Sequence, residues 1–98
     1  MKLPCIFIAT DNSNSQLFVD TTEDLAREIF RYKKLAKQAK PSDQPLTKLV
    51  WYQTGPNLEA VIIEANRIKV ETQETKIDLI RKMNPQWWDL YPNIIYNS

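Results

Sequence analysis

Gly55 is the only glycine in the sequence, and that single fact constrains the chain more than any other. A phosphate-cradling P-loop and a dinucleotide-binding fingerprint each need several glycines at fixed spacing, so neither fits here. The first cluster of turn formers, Asp11-Asn12-Ser13-Asn14-Ser15, contains no glycine. Asparagine must therefore supply any positive φ that the turn requires. Other absences narrow the chemistry further. The chain has no histidine, which excludes a Ser-His-Asp triad, a histidine-based zinc site and a histidine pH switch. Cys5, the single cysteine, makes no internal disulfide and reads as a small buried hydrophobe. Thirteen Lys and Arg against twelve Asp and Glu leave a formal charge of +1, so overall charge does not argue for a nucleic-acid or acidic-membrane partner.

Within 98 residues, 43% hydrophobic and 26% charged, one globular domain spanning 1–98 is expected. No apolar run approaches the roughly 20 residues of a membrane span. The opening Met1-Lys2-Leu3-Pro4-Cys5-Ile6-Phe7-Ile8 is shorter than a secretory h-region and reads as the approach to a strand. With no targeting segment legible, the cytoplasm is the default expectation.

Residues 4–10 (PCIFIAT) and 16–19 (QLFV) read as two strands of a hairpin. A helix is expected from Thr21 or Thr22, where Thr21-x-x-Asp24 is a variant of the capping box. Leu25, Ile29, Tyr32, Ala36 and Ala39 form its apolar face. Pro41 ends that helix, and Leu46 to Tyr52 forms a third strand. After Gly55-Pro56-Asn57, with Asn57 as cap, a second helix over 58–69 presents Leu58, Val61, Ile62, Ala65 and Ile68. A third over 74–83 presents Ile77, Ile80 and Met83, and Asn84-Pro85 terminates it. Trp87 and Trp88 imply a tail that packs back onto the body. The expected class is α/β of the α+β kind: a small three-stranded antiparallel sheet flanked by helices, in the order β-β-α-β-α-α.

That order, with particular residues in it, resembles the GIY-YIG nuclease domain in its small stand-alone form, over about Pro4 to Tyr91. Lys76-Ile77-Asp78-Leu79-Ile80 followed by Met83-Asn84-Pro85-x-Trp87-x-Asp89-Leu90-Tyr91 is similar to the family's closing NPxWxDLY segment. Leu49-Val50-Trp51-Tyr52 is similar to its third strand, and Asp24-Leu25-Ala26-Arg27 to the DLxR start of its first helix. The resemblance implies catalysis by tyrosine hydroxyls, an arginine, and a glutamate holding one divalent metal. At the positions it assigns, this chain carries Phe7 and Phe18 for the tyrosines, Glu28 for the arginine and Ala65 for the glutamate. Tyr32, where the family has histidine or tyrosine, keeps a chemical group, and Arg27 and Glu64 stand one residue from the lost positions. The resemblance therefore implies a degenerate nuclease fold with no catalytic residues, no metal and no cofactor. A residual Mg2+-dependent endonuclease would have to use Arg27, Tyr32 and Glu64.

Three features have two readings each. Arg31, Lys33, Lys34, Lys37 and Lys40 form either a phosphate-tracking patch or a solvated helix end that complements the dipole. Trp88, where the family carries a polar residue, is an interface candidate, whereas Trp87 reads as core. Asp20, in place of a glycine, is either part of a cation site or a charge favoured near a helix N-terminus. The leading expectation is a non-catalytic module that binds a protein partner. Nucleic-acid binding without cleavage is the alternative, and no membrane partner is expected.

Overall fold

In the computed structural model of the chain, which describes residues 3–96, three strands form an antiparallel sheet in the order β2-β1-β3. They are β1 (Cys5–Thr10), β2 (Phe18–Thr22) and β3 (Lys48–Thr54). The helices are α1 (Leu25–Gln38), α2 (Leu58–Lys69), α3 (Gln73–Met83) and α4 (Tyr91–Tyr96). Met1, Lys2, Asn97 and Ser98 lie outside the described residues, including the first two positions of the opening segment.

Every residue of β1 is buried, as a central strand covered on both faces must be. The pleat sends Cys5, Phe7 and Ala9 to a cluster with Leu25, Ile29, Leu49 and Ile94, beneath α1 and α4. It sends Ile6 and Ile8 to a second cluster with Val19, Val61, Ala65, Ile68 and Ile80, beneath α2 and α3. A bulge lies between Ile8 and Ala9 in the pairing with β3. It allows Val50 and Trp51, adjacent in sequence, to enter the same cluster. The architecture is a three-layer α/β/α sandwich with one thin core on each side of the sheet.

Several boundaries differ from expectation. β2 continues through Asp20, Thr21 and Thr22, because the threonines pair with Ile6 and Cys5 and β-branched side chains favour the pleat. Helix α1 consequently starts at Leu25. Asp24 is its N-cap, accepting from the Arg27 amide, and Thr22 Oγ1 accepts from the Asp24 amide in turn. Asn57 caps α2 as expected, accepting from the Ala60 amide at 2.8 Å. Ile62 and Met83, placed on buried stripes by periodicity, are 41% and 45% exposed, since each helix covers only a narrow strip of a three-stranded sheet.

The scarcity of glycine is solved locally. Asn14, Gln44 and Trp87 take the positive φ values, at 60°, 47° and 58°. Gly55 is needed for space instead, because a Cβ there would lie 2.5 Å from Cγ1 of buried Val61. In the β1–β2 loop, Asp11 is the organising group. Its carboxylate accepts from the Ser13 and Ser15 hydroxyls and from the Ser15 and Gln16 amides. These bonds, the Ser15 hydroxyl first, outweigh burial and hold the Asp11 carboxyl well below the usual carboxylate range.

The segment after α3 closes the outer edge of β3. Asn84, 3% exposed, donates to the Val50 carbonyl at 3.1 Å and to the Trp88 carbonyl at 2.8 Å, and accepts from the Trp88 amide at 3.0 Å. Asp89 accepts from the Leu49 and Tyr91 amides, both at 3.1 Å. The Leu90 amide returns to the Leu49 carbonyl at 2.7 Å. The tail thus mimics a fourth strand, and Tyr91–Tyr96 adds a short helix not expected from sequence.

Removing Asn84 leaves buried backbone groups unpaired. Asn84→Ala is expected to lower the unfolding free energy by about 2–3 kcal/mol, measured by urea denaturation. Asp11 has a folded pKa below its unfolded value, so its contribution is present above pH ~4 and is lost as pH falls through the folded value. The loss of urea midpoint between pH 6 and pH 3 is therefore expected to be smaller in Asp11→Asn than in the unaltered protein.

Candidate functional site

The hairpin and α1 bring Phe7, Phe18, Asp20, Glu28 and Tyr32 to one side of the sheet. β1 sets Phe7 opposite Asp20, and β2 sets Phe18 opposite Ala9, so Phe7, Phe18 and Asp20 point to the side covered by α1. Phe7 is fully buried, and its ring lies 6.0 Å from that of Tyr32, tilted by 55°. Phe18 meets Tyr32 edge-on at 6.2 Å. Two carbon-only rings therefore flank this phenol. Burial first, then the Glu28 and Asp20 carboxylates, push the Tyr32 hydroxyl up to about 12. It stays protonated at neutral pH and is a poor proton acceptor.

Glu28 lies one turn before Tyr32, and Oε1 of Glu28 accepts from Arg31 Nε at 2.9 Å, with Arg31 Nη2 also at 2.9 Å. The Arg31 guanidinium sits 5.2 Å from the Tyr32 ring centroid. Asp20 accepts from the Thr21 amide at 2.8 Å. A charged residue that occupies an edge-strand amide in this way blunts β2 against further pairing. The helix-terminus explanation for Asp20 gives way to this one, because β2 extends beyond it.

The remaining positions stand elsewhere. Arg27 is exposed on α1. Glu64 is on α2, paired with Arg67. Ala65, 1% exposed, belongs to the cluster on the opposite face of the sheet from Phe7. The sheet separates Glu64 and Ala65 from Tyr32, so Arg27, Tyr32 and Glu64 do not converge. Among the described residues, no three His, Cys, Asp or Glu side chains stand together as a metal-ligand group. Cys5 is buried, with its thiol pushed up to about 11 by desolvation, which makes it inert.

The basic run divides sharply. Lys33 turns inward, donating to the Thr47 carbonyl at 2.9 Å, pairing with Asp89 and lying 5.3 Å from the Tyr91 ring centroid. It is a fastener between α1, the β3 approach and the tail. Arg31 is shared with Glu28, while Lys34, Lys37 and Lys40 are exposed. Trp87 packs against the core, and Trp88 is 69% exposed, its backbone pinned by Asn84.

Two residues escaped the sequence reading. Phe30 and Leu35 are 50% and 54% exposed and line a groove of about 460 Å3 on the outer side of α1 with Arg27, Arg31, Lys34 and Gln38. Their spacing, i, i+3, i+4, i+7, i+8 and i+11 from Arg27, is a second helical stripe. It was available to a periodicity search that did not stop at the first apolar face. A polar recess of about 440 Å3 between the β1–β2 loop and Gln44-Pro45 offers less. Asp11, Asn12 and the Gln44 carbonyl are already bonded within the loops.

No protein-family model, no curated protein and no solved structure matches the chain.

A carboxylate placed at position 65 would be buried in the core. Ala65→Glu is expected to cost at least about 2 kcal/mol of stability, measured by urea denaturation at pH 7. A change within about 0.5 kcal/mol would mean that the side chain finds solvent there.

Proposed function

We propose that this chain is a GIY-YIG-like scaffold that does not cleave nucleic acid and serves as a binding module for a protein partner. The observation that carries this reading is the aromatic cluster of Phe7, Tyr32 and Phe18 with the Glu28–Arg31 pair beside it. Where the resemblance calls for hydroxyls and a free cation, the chain has hydrocarbon, a protonated phenol and a neutralised ion pair. Such a face neither deprotonates water nor screens a phosphoryl oxygen. Exposed Trp88 supports the protein-binding half, because a large aromatic held on an ordered backbone is a typical interface anchor.

Nucleic-acid binding without cleavage is the second reading, favoured by the exposure of Lys34, Lys37 and Lys40. Its signature is affinity that falls steeply with salt. Residual cleavage by Arg27, Tyr32 and Glu64 lacks a common locus.

Incubation with duplex, branched and single-stranded DNA and RNA, with Mg2+ or Mn2+, is expected to give no nicking above that of Glu64→Ala. Metal-dependent nicking abolished by Glu64→Ala would overturn the proposal. Recovery of a stoichiometric protein partner, weakened by Trp88→Ala in a chain of unchanged melting temperature, supports it. Salt-sensitive oligonucleotide binding lost on replacing Lys34, Lys37 and Lys40 by glutamate would give precedence to the second reading.

A further inference from the structure

Helix α1 carries two stripes. The inner one, with Leu25 and Ile29 buried, holds the helix to the sheet. The outer one combines two half-exposed apolar side chains with exposed Arg27 and Lys34 and with Arg31, which Glu28 pairs. Phe30 and Leu35 form the floor, and Arg27, Arg31 and Lys34 frame it. From Arg27 to Gln38 the stripe runs about 16 Å at the helical rise, the length of three turns of a second helix. Within its own residues α1 carries Arg27, Arg31, Lys33, Lys34 and Lys37 against Glu28, a formal charge of +4 on a chain of +1, with Asp24 at its N-cap. Removing Lys33, which Asp89 neutralises, still leaves this helix the basic side of a nearly neutral molecule.

Resting on the protein-binding reading above, we infer that the outer stripe of α1 is the docking surface for an acidic amphipathic helix. Apolar side chains of that helix seat on Phe30 and Leu35, and its carboxylates meet Arg27 and Lys34. Charge complementarity fixes the sign of the partner, and the apolar floor fixes its amphipathic character. Nucleic acid fits this face less well. The Lys34 ammonium lies 5.7 Å from the Phe30 ring centroid, so it competes for the ring face on which a base would stack, and Leu35 offers no π surface.

The test uses a fluorescein-labelled peptide of about 15 residues, rich in glutamate, with leucines at i, i+3, i+4 and i+7. A scrambled peptide of the same composition and a single-stranded oligonucleotide are the comparisons, all followed by anisotropy on the full chain. Saturable binding is expected, weakened about tenfold by Phe30→Ala or Leu35→Ala and about tenfold or more by the double change Arg27→Glu, Lys34→Glu. All four positions are exposed, and unchanged melting temperatures would confirm that the variants fold. Equal binding of the scrambled peptide, or indifference to Phe30→Ala and Leu35→Ala, would overturn the inference by reducing the contact to charge alone. Tighter oligonucleotide binding lost on Arg27→Glu would overturn it in favour of nucleic acid. A protein partner that depends on Trp88 and ignores every α1 variant would overturn this inference while leaving the protein-binding reading intact. Metal-dependent nicking would remove that reading itself.

Discussion

The outer edge of β3 is the weak point of a three-stranded sheet, and two side chains from the tail close it. Asn84 reaches the Val50 carbonyl and Asp89 the Leu49 amide, while the Leu90 amide takes the Leu49 carbonyl. Without them, three polar groups beside two buried residues would be unpaired, and each would cost more than the bond it lost. The same short segment delivers Trp87 to one core and Leu90 and Tyr91 to the other. It therefore wraps the edge of the sandwich and fixes both layers at once. Trp87 adopts φ 58° to do so, a conformation costly for a bulky residue and held here by the bonds on either side of it.

Once the edge is closed, the rest follows from how thin the molecule is. Each face of the sheet has one small cluster, and each helix gives it a narrow strip, so a large fraction of every helix faces outward. That is why Ile62, Met83, Phe30 and Leu35 are exposed despite apolar character. It also makes side-chain fasteners valuable: Lys33 ties α1 to Asp89 and Thr47 across a separation that no backbone ladder spans. A lysine employed in this way is unavailable to a ligand, and the basic helix is less of a phosphate track than its composition suggests.

The face formed by Phe7, Phe18 and Tyr32 has a chemical logic of its own. With Phe7 inside the core and Phe18 against Tyr32, the two strands present rings without hydroxyls to this side of the sheet. Glu28, on the helix above them, is balanced by Arg31. The rings serve packing here, which an aromatic side chain does with or without oxygen.

Much of the fold was legible in the order of residues. The apolar run of β1, the helical stripe from Leu25 to Ala36, the Asn57 cap and the asparagine needed for a turn without glycine are local, and local sterics decide them. The lack of chemistry at Phe7, Phe18 and Ala65 was equally legible, since no fold can give phenylalanine a proton to exchange or alanine a ligand atom. The start of α1, the exposure of Ile62 and Met83, the inward turn of Lys33 and the second stripe on α1 were not. Each depends on what folding brings from far along the chain: Thr22 on Cys5, Lys33 on Asp89, 56 residues away, and Phe30 on no element among the described residues covering it. The sequence by itself determined which groups this protein has to work with and which elements carry them. Only the tertiary structure decided which of those groups are consumed in holding it together and which are left facing outward, because burial and pairing are properties of the neighbours that folding brings to a residue.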